Sequence, residues 1–230
     1  MKTFCFIFAR GGSKGLPKKN IKPLLNKPLI SYSIKIAKEI SEIDKLFVST
    51  DCKEIAKIAE SKGAIIINRP KEIAQDNSPE WIAWQHAINW TYERYGTFTK
   101  FLSLPATAPL RSKIDVLNCL NAFKSSNDVI ITMTESSRNP WFNMVKKNDD
   151  KTIDLVLKNT NKISRRQDAP VVYDLTTVAY VLNPNFILNN DSLWDGKVKG
   201  VFIPKERAID IDDEFDFKVA EMMLGDKNNE

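Results

Sequence analysis

Three short apolar runs, separated by two amphipathic ones, fill the first seventy residues, and no other feature limits the fold so strongly. Phe4 to Ala9 has strand character and breaks off at Arg10. Pro28 to Ile40 carries apolar residues at 29, 30, 34, 36 and 40, the spacing of a helix of about three turns. Lys45 to Thr50 is a second strand. Asp51 is placed to cap a helix through Ser61, with Ile55, Ala56, Ile58 and Ala59 facing inward and Gly63 ending it. Ala64 to Ile67 is a third strand, closing at Asn68, Arg69 and Pro70. Strand and helix alternating over so short a span call for a parallel sheet with right-handed crossovers.

The alternation continues. Ser78, Pro79 and Glu80 are a cap, a proline at the first helical position and an acid in the first turn. Trp81, Trp84, Ile88 and Tyr92 follow at helical spacing, a stripe we read as core packing. Lys100 to Leu104 is a strand, Ser112 to Lys124 a helix and Asp128 to Thr134 a strand. The class is therefore α/β, a mostly parallel sheet with helices on both faces. Residues 135–175 break the pattern: they are polar and irregular, and Trp141 to Val145 and Ile153 to Leu157 read as a hairpin around a charged turn. So long an excursion is usually functional or an arm for assembly. Strand character returns at Thr177 to Leu182 and Lys199 to Ile203, and the chain closes with a strand end leading into a helix.

Composition narrows the class further. With 43% hydrophobic residues over 230, the chain can bury a full core as one domain, residues 1–230. The net charge of +5 suits an anionic small molecule and, without charge blocks or aromatic-basic repeats, does not call for nucleic acid. No apolar run reaches membrane-spanning length, and the chain enters a strand with no cleavable signal, so a cytoplasmic, non-membrane protein is expected. Cys5, Cys52 and Cys119 read as reduced thiols, and the single histidine, His86, as structural.

The first strand delivers a loop, Ala9, Arg10, Gly11, Gly12, Ser13, Lys14, Gly15, that is rich in glycine and followed by Lys18, Lys19 and Asn20. Glycines let backbone N–H groups approach an anion and the cations neutralise it, so the loop reads as a phosphate cradle. The bland alternative is a solvated basic turn, which Pro17 and Pro23 would have no reason to stiffen. Neither Walker A nor dinucleotide glycine spacing is present. Near the other terminus, Asp210 and Asp212 alternate along an extended segment and so share one face. Two hard oxygen donors suit Mg²⁺; alternatively they serve, with Asp213 and Asp216, only to cap the last helix.

Six segments in matching order resemble the acylneuraminate cytidylyltransferases, the CMP-sialic acid synthetases. They are residues 9–20, Val48-Ser-Thr-Asp51, Arg69-Pro70, Pro105-Ala-Thr-Ala-Pro-Leu-Arg111, Arg166-Gln167 and Ile209-Asp-Ile-Asp212. The resemblance implies a Rossmann-like fold, a homodimer joined by an exchanged arm at about 135–175, and Mg²⁺ dependence. It implies coupling of CTP to a keto-deoxy sugar acid, giving a CMP-sugar and pyrophosphate. Carried over by position, Ala9, Arg10, Gly11, Gly12, Ser13, Lys14, Lys19 and Asn20 would hold the triphosphate, Arg10 and Lys19 as catalytic cations. Arg69, Asp76, Ser78 and Glu80 would contact the cytidine. Pro105, Ala106, Thr107, Arg166, Gln167, Asp174, Thr176 and Tyr180 would face the sugar, and Asp210 and Asp212 the metal. Arg166 has a bland alternative as a surface ion pair in the arm.

Two positions depart from the sialate pattern. Pro105 stands where such members carry glutamine, and Asp174 lies near where they carry arginine. A carboxylate in place of a cation inverts the field the substrate meets, so the acceptor is expected to differ from plain N-acetylneuraminate. The segments around Asn139, Gln167 and Asp174 are similar to a subgroup associated with bacterial nonulosonates such as legionaminic acid. Alternative readings are a 3-deoxy-manno-octulosonate or other sugar nucleotidyltransferase and, in another class, a non-catalytic nucleotide-binding module. A nicotinamide-dependent oxidoreductase is disfavoured by the missing glycine spacing.

Overall fold

The computed structural model describes residues 2–158 and 163–227. In chain order the strands are β1 (Thr3–Phe8), β2 (Pro23–Leu24), β3 (Lys27–Pro28), β4 (Lys45–Thr50), β5 (Ile65–Asn68), β6 (Lys100–Ser103), β7 (Val129–Glu135), β8 (Val145–Lys147), β9 (Ile153–Leu155), β10 (Tyr173–Leu182) and β11 (Val198–Phe202). The helices are α1 (Ile30–Lys38), α2 (Lys53–Ser61), α3 (Glu80–Tyr95), α4 (Lys113–Ala122), α5 (Pro184–Asn189) and α6 (Glu214–Lys227). Seven strands form one sheet in the order β11-β7-β10-β6-β1-β4-β5. All neighbouring pairs are parallel except those of β10, which runs antiparallel to β6 and β7.

The two-residue period of β1 divides the core. Phe4 and Phe6 point to one face and meet Phe47, Phe98 and Phe101, roofed by Trp84, Ala87 and Ile88 of α3 and Phe186 and Ile187 of α5. Cys5, Ile7 and Ala9 point to the other and meet Ile34 of α1, Ile55 and Ala59 of α2, and Val116 and Cys119 of α4. Both faces are thus covered by helices, as the alternation required. The Trp81 to Tyr92 stripe packs inward, and the Trp81 indole N–H donates to the Ile187 and Asn190 carbonyls.

The site follows from the strand order. The chain leaves the sheet centre at β1, builds outward through β4 and β5, then returns to add β6 on the opposite side of β1. The connections after β1 and β6 therefore diverge at their carboxyl ends and open a crevice there, where ligands bind in open α/β sheets.

Several boundaries differ from the sequence reading. Asp51 does not cap α2; Cys52 stands at that position, and the Asp51 carboxylate instead accepts the Gly11 N–H at 2.9 Å. Ser78 likewise does not cap α3, its hydroxyl donating to the Glu72 carbonyl at 3.3 Å. The hairpin in the excursion is shorter and later than expected, Val145–Lys147 against Ile153–Leu155, because Asn139 folds residues 139–144 into turns. β10 starts at Tyr173, so the excursion returns to the sheet before residue 175. The segment before α6 is irregular and not a strand end. Residues 159–162 of the excursion lie outside the described residues.

Candidate active site

The loop after β1 presents a row of unused donors. The N–H groups of Gly12, Ser13, Lys14, Gly15 and Leu16 donate to no acceptor among the described residues. Its base is braced: Ala9 N–H donates to the Ser49 carbonyl, Gly11 N–H to Asp51, and the Asn20 amide to the Arg10 carbonyl at 3.0 Å. Ala9 and Asn20 are buried, so they and Gly11 shape the loop; residues 12–15 lie at the surface with free donors, and the Leu16 side chain pins the end of the loop into the core. A lone amide row is costly unless water or an anion meets it.

Each loop cation meets a carboxylate. Lys14 reaches Asp76 at 2.6 Å and Arg10 ion-pairs with the same carboxylate, which Lys14 first and Arg10 second hold below the ordinary aspartate range. Lys18 pairs with Glu54 at 3.1 Å. Lys19, its side chain mostly buried, donates to the Ile211 carbonyl at 2.5 Å and to Asp212 at 3.2 Å. Gly15 packs so closely on this segment that a Cβ there would lie 2.5 Å from the Asp212 carbonyl oxygen. The loop after β1 and the segment before α6 are thus in direct contact.

Beside the loop is a pocket of about 250 Å³, lined by Phe8, Arg10, Arg69, Gln75, Asp76, Ser78 and Glu80. Arg69 is buried, donates to the Ser49 hydroxyl and carbonyl at 3.1 and 2.8 Å, and stacks over Phe8 at 5.5 Å. That leaves an aromatic ring and a fixed cation as the pocket wall. Phe8 is a wall residue that the sequence reading missed; its place at the carboxyl end of β1 was the available signal. Protein atoms crowd the Glu80 carboxyl, though the residue as a whole is exposed, and raise it above the ordinary carboxylate range; Arg69 opposes and Asp210 adds to the rise. The Trp84 indole N–H is directed to Glu80 yet completes no hydrogen bond of normal geometry.

Asp210 is within electrostatic reach of Glu80 in this pocket, and of Tyr180 and Arg111. Burial, with Glu80 and Asp210, pushes the Tyr180 hydroxyl up to about 12, so it is a neutral donor at physiological pH. Burial brings Arg111 down to about 10, still charged there, and its guanidinium clamps the 105–111 loop by donating to the Pro105 carbonyl and the Ser33 hydroxyl.

Capping of α6 is done by other acids. The Asp213 carboxylate accepts from Phe215 and Asp216 N–H, and Asp216 accepts from Asp212 and Asp213 N–H. Asp210 and Asp212 are left over. Asp210 Oδ1 is buried with no hydrogen-bond partner, and the Asp212 carboxylate is exposed beside Lys19. No group of three or more His, Cys, Asp or Glu among the described residues is gathered for a metal. An orphaned carboxylate oxygen plus one open carboxylate is nevertheless the donor set that fits Mg²⁺, which keeps most of its shell for water and phosphate.

The sugar-facing candidates are dispersed. Arg166 and Gln167 line a separate cavity of about 300 Å³ in the excursion, with Glu135, Arg138 and Asn139. Arg166 donates to the Ser136 carbonyl at 2.9 Å, and it is Arg165 that forms the surface ion pair, with Asp168. Asp174 is exposed on β10 opposite Thr134. Thr176 is not a sugar-facing side chain: its hydroxyl is buried against Thr132 at 2.7 Å, at the bulge of β10. Ala106 is packed in the core, and Thr107 offers its carbonyl to Ile211 N–H at 2.9 Å. A wider cavity of about 590 Å³, lined by Lys100, Phe123 and Asn183 among others, lies at the amino ends of β6 and β7, away from the crevice, and contains none of these candidates.

Residues 4–87 match the family model described as cytidylyltransferase. Over 99% of its length the chain is 36% identical to post-translational flagellin modification protein B of Campylobacter coli, covering 97% of that protein. It is 35% identical to CMP-N,N'-diacetyllegionaminic acid synthase of Campylobacter jejuni, with 99% and 97% of the two chains aligned. Among solved structures, CMP:2-keto-3-deoxy-manno-octonic acid synthetase complexed with CTP superposes with a TM-score of 0.73 at 14% identity, over 99% of this chain and 100% of that one.

Proposed function

The chain belongs to the cytidylyltransferase family, in the acylneuraminate branch its motifs resemble, and we propose that it couples CTP to a nonulosonic, sialic-acid-like sugar acid. The products are pyrophosphate and a CMP-sugar for surface-glycan or flagellin glycosylation. The observation that carries this reading is the run of free N–H groups at Gly12 to Leu16, flanked by Arg10, Lys14 and Lys19 and facing the Asp210–Asp212 segment.

The triphosphate occupies the row of free N–H groups, and its oxygens take Arg10 and Lys14 from Asp76. The cytosine enters the pocket walled by Phe8 and Arg69, with Ser78 and Glu80 at its polar edge. Lys19, already fixed at the junction of loop and acidic segment, offsets charge that develops at the α-phosphate. The anomeric hydroxyl of the sugar attacks the α-phosphorus, forming a new P–O bond as the bond to the β-phosphate breaks and pyrophosphate leaves. Asp210 and Asp212 would hold Mg²⁺, which when bound neutralises phosphate charge. Tyr180, a neutral donor beside Asp210, serves the sugar acid.

The whole chain acts as one catalytic domain whose excursion is a dimerisation arm. Val145, Ile153, Val171 and Leu175 are apolar and exposed there, a surface suited to a second copy of the chain. No helix among the described residues is long and apolar enough to cross a membrane. A cytoplasmic homodimer is the proposed working form. The acceptor is of the legionaminic-acid type, supported by the relative at 35% identity and by the departures at Pro105 and Asp174.

The test is pyrophosphate release from each of the four common nucleoside triphosphates with N-acetylneuraminate, a diacetyllegionaminate and 3-deoxy-manno-octulosonate. Release with CTP and the legionaminate, well above the others, is expected. Release with octulosonate alone would replace the acceptor class. No release from CTP with any acid would overturn the function.

A further inference from the structure

The acidic segment is anchored from behind by a residue that touches none of the proposed substrates. Arg207, three positions before Asp210, donates through Nε to Asp115 Oδ2 at 2.8 Å and through its terminal nitrogen to Oδ1 at 2.9 Å. The Asp115 side chain is 2% exposed. Its Oδ2 also accepts the Ser112 N–H at 2.9 Å and the Ser112 hydroxyl at 2.8 Å, closing the capping box of α4. The carboxylate is therefore fixed to the first turn of α4, on the face that packs against the sheet, and the guanidinium is fixed to it by two parallel bonds. A bidentate pair defines direction as well as distance, which a single ammonium cannot do.

Other contacts hold the segment as well, among them the Asp216 carboxylate, which accepts the Asp212 N–H at 3.0 Å. Ile211 N–H donates to the Thr107 carbonyl, and Lys19 holds the Ile211 carbonyl and Asp212 from the phosphate-loop side. Thr107 and Lys19 belong to the crevice itself. The Arg207–Asp115 pair connects the segment instead to the core through α4, whose Val116, Cys119 and Leu120 are buried. Ala208 and Ile209 are all that separate the anchor from Asp210, whose Oδ1 is the orphaned oxygen. So short a link transmits rotation or displacement of Arg207 directly to the two carboxylates.

We propose that Arg207, through Asp115, is a positioning residue that fixes Asp210 and Asp212 in the geometry that receives a divalent cation. The assignment rests on the cytidylyltransferase reading, in which those two carboxylates serve the metal. Outer-shell partners of this kind commonly control metal affinity as strongly as a ligand does.

The experiment titrates Mn²⁺, a spectroscopically visible stand-in for Mg²⁺, by electron paramagnetic resonance into the full chain with CTP and no sugar acid. The parent is compared with Arg207→Lys, which keeps the charge but loses the fork, and with the double variant Arg207→Gln, Asp115→Asn, which leaves no unpaired buried charge. Melting temperatures and metal-free CTP affinity are measured alongside. The expected result is a Mn²⁺ dissociation constant raised roughly 10- to 100-fold in both variants, with CTP affinity within about twofold of the parent. A Mn²⁺ constant unchanged in either soluble variant, whatever its melting temperature, would overturn the proposal and leave the pair a structural clamp. Parent protein that binds no Mn²⁺ would overturn it too. Pyrophosphate release by the parent is scored separately, so failure of the positioning role and failure of the function are told apart.

Discussion

Lys19 and Asp212 are 193 positions apart in sequence and 3.2 Å apart in space, ammonium to carboxylate. The contact joins the loop that follows the first strand to the segment that precedes the last helix. The Lys19 side chain is mostly buried, whereas that of Asp212 is open to solvent. In the proposed reaction a ligand phosphate would approach Lys19 from the open, Asp212 side.

Removing that cation should damage the chemistry far more than the fold. Lys19→Met keeps the length and apolar stem of the side chain but none of its charge. We expect kcat to fall by about 100- to 1,000-fold, the range for loss of one preorganised donor, with the melting temperature nearly unchanged. Steady-state pyrophosphate release and a thermal melt check this together. Equal kcat would remove Lys19 from the reaction.

On the proposed function Asp76, expected from the sequence to contact the cytidine, would instead compete with phosphate for the loop cations. It pairs with Arg10 and Lys14, the two cations that should grip the triphosphate. Asp76→Asn should tighten inhibition by pyrophosphate about two- to fivefold, the scale of an exposed ion pair, and steepen its salt dependence. Weaker pyrophosphate inhibition would make Asp76 part of the binding surface.

Gly15→Ala tests the contact between loop and acidic segment. The added methyl would lie 2.5 Å from the Asp212 carbonyl oxygen, so backbone must shift on one side. A forced fit of this kind costs on the order of 1–3 kcal/mol. Divalent-metal dependence should weaken as the segment moves. A variant with parental kinetics and melting temperature would show that the loop yields freely.

The buried pair also has a pH signature. Burial favours the neutral form of Asp115, but its bonds from Arg207 and Ser112 prevail and hold it below the 3.8 of a free aspartate. A depressed carboxylate contributes stability that is complete above the unfolded value and lost as pH falls through the folded one. The stability gap between the parent and Asp115→Asn should be constant from neutrality down to about pH 5 and shrink below pH 4. A gap that grew on acidification would contradict the assignment.

Much of this architecture was legible in the residues. The period-two pattern of Phe4 to Ala9 separates two cores, and the helical spacing at Trp81, Trp84 and Ile88 buries a stripe, because burial of apolar area dominates both choices. Local capping was less legible. Asp51 and Ser78 satisfy the local rules for a cap, yet a distant partner, the Gly11 N–H, takes the Asp51 carboxylate, and the Glu72 carbonyl of the preceding loop takes the Ser78 hydroxyl. Thr176 shows the same limit: its place in a motif pointed to substrate, while the bulge of β10 turns its hydroxyl inward to Thr132. The Arg207–Asp115 pair had no sequence signature as a pair: its partners are 92 positions apart, and Asp115 shows in the sequence only as the acid of a Ser-x-x-Asp capping box.

In the proposed mechanism the sugar's own anomeric oxygen attacks the α-phosphorus of CTP held on the loop after β1. It is tested most directly by mixing the protein, Mg²⁺ and CTP with a diacetyllegionaminate labelled with ¹⁸O at the anomeric hydroxyl, and following ³¹P resonances and product mass. The prediction is a CMP-sugar that retains the label in its bridging oxygen, together with unlabelled pyrophosphate. Hydrolysis of CTP without a CMP-sugar, or a CMP-sugar that has lost the label, would contradict it.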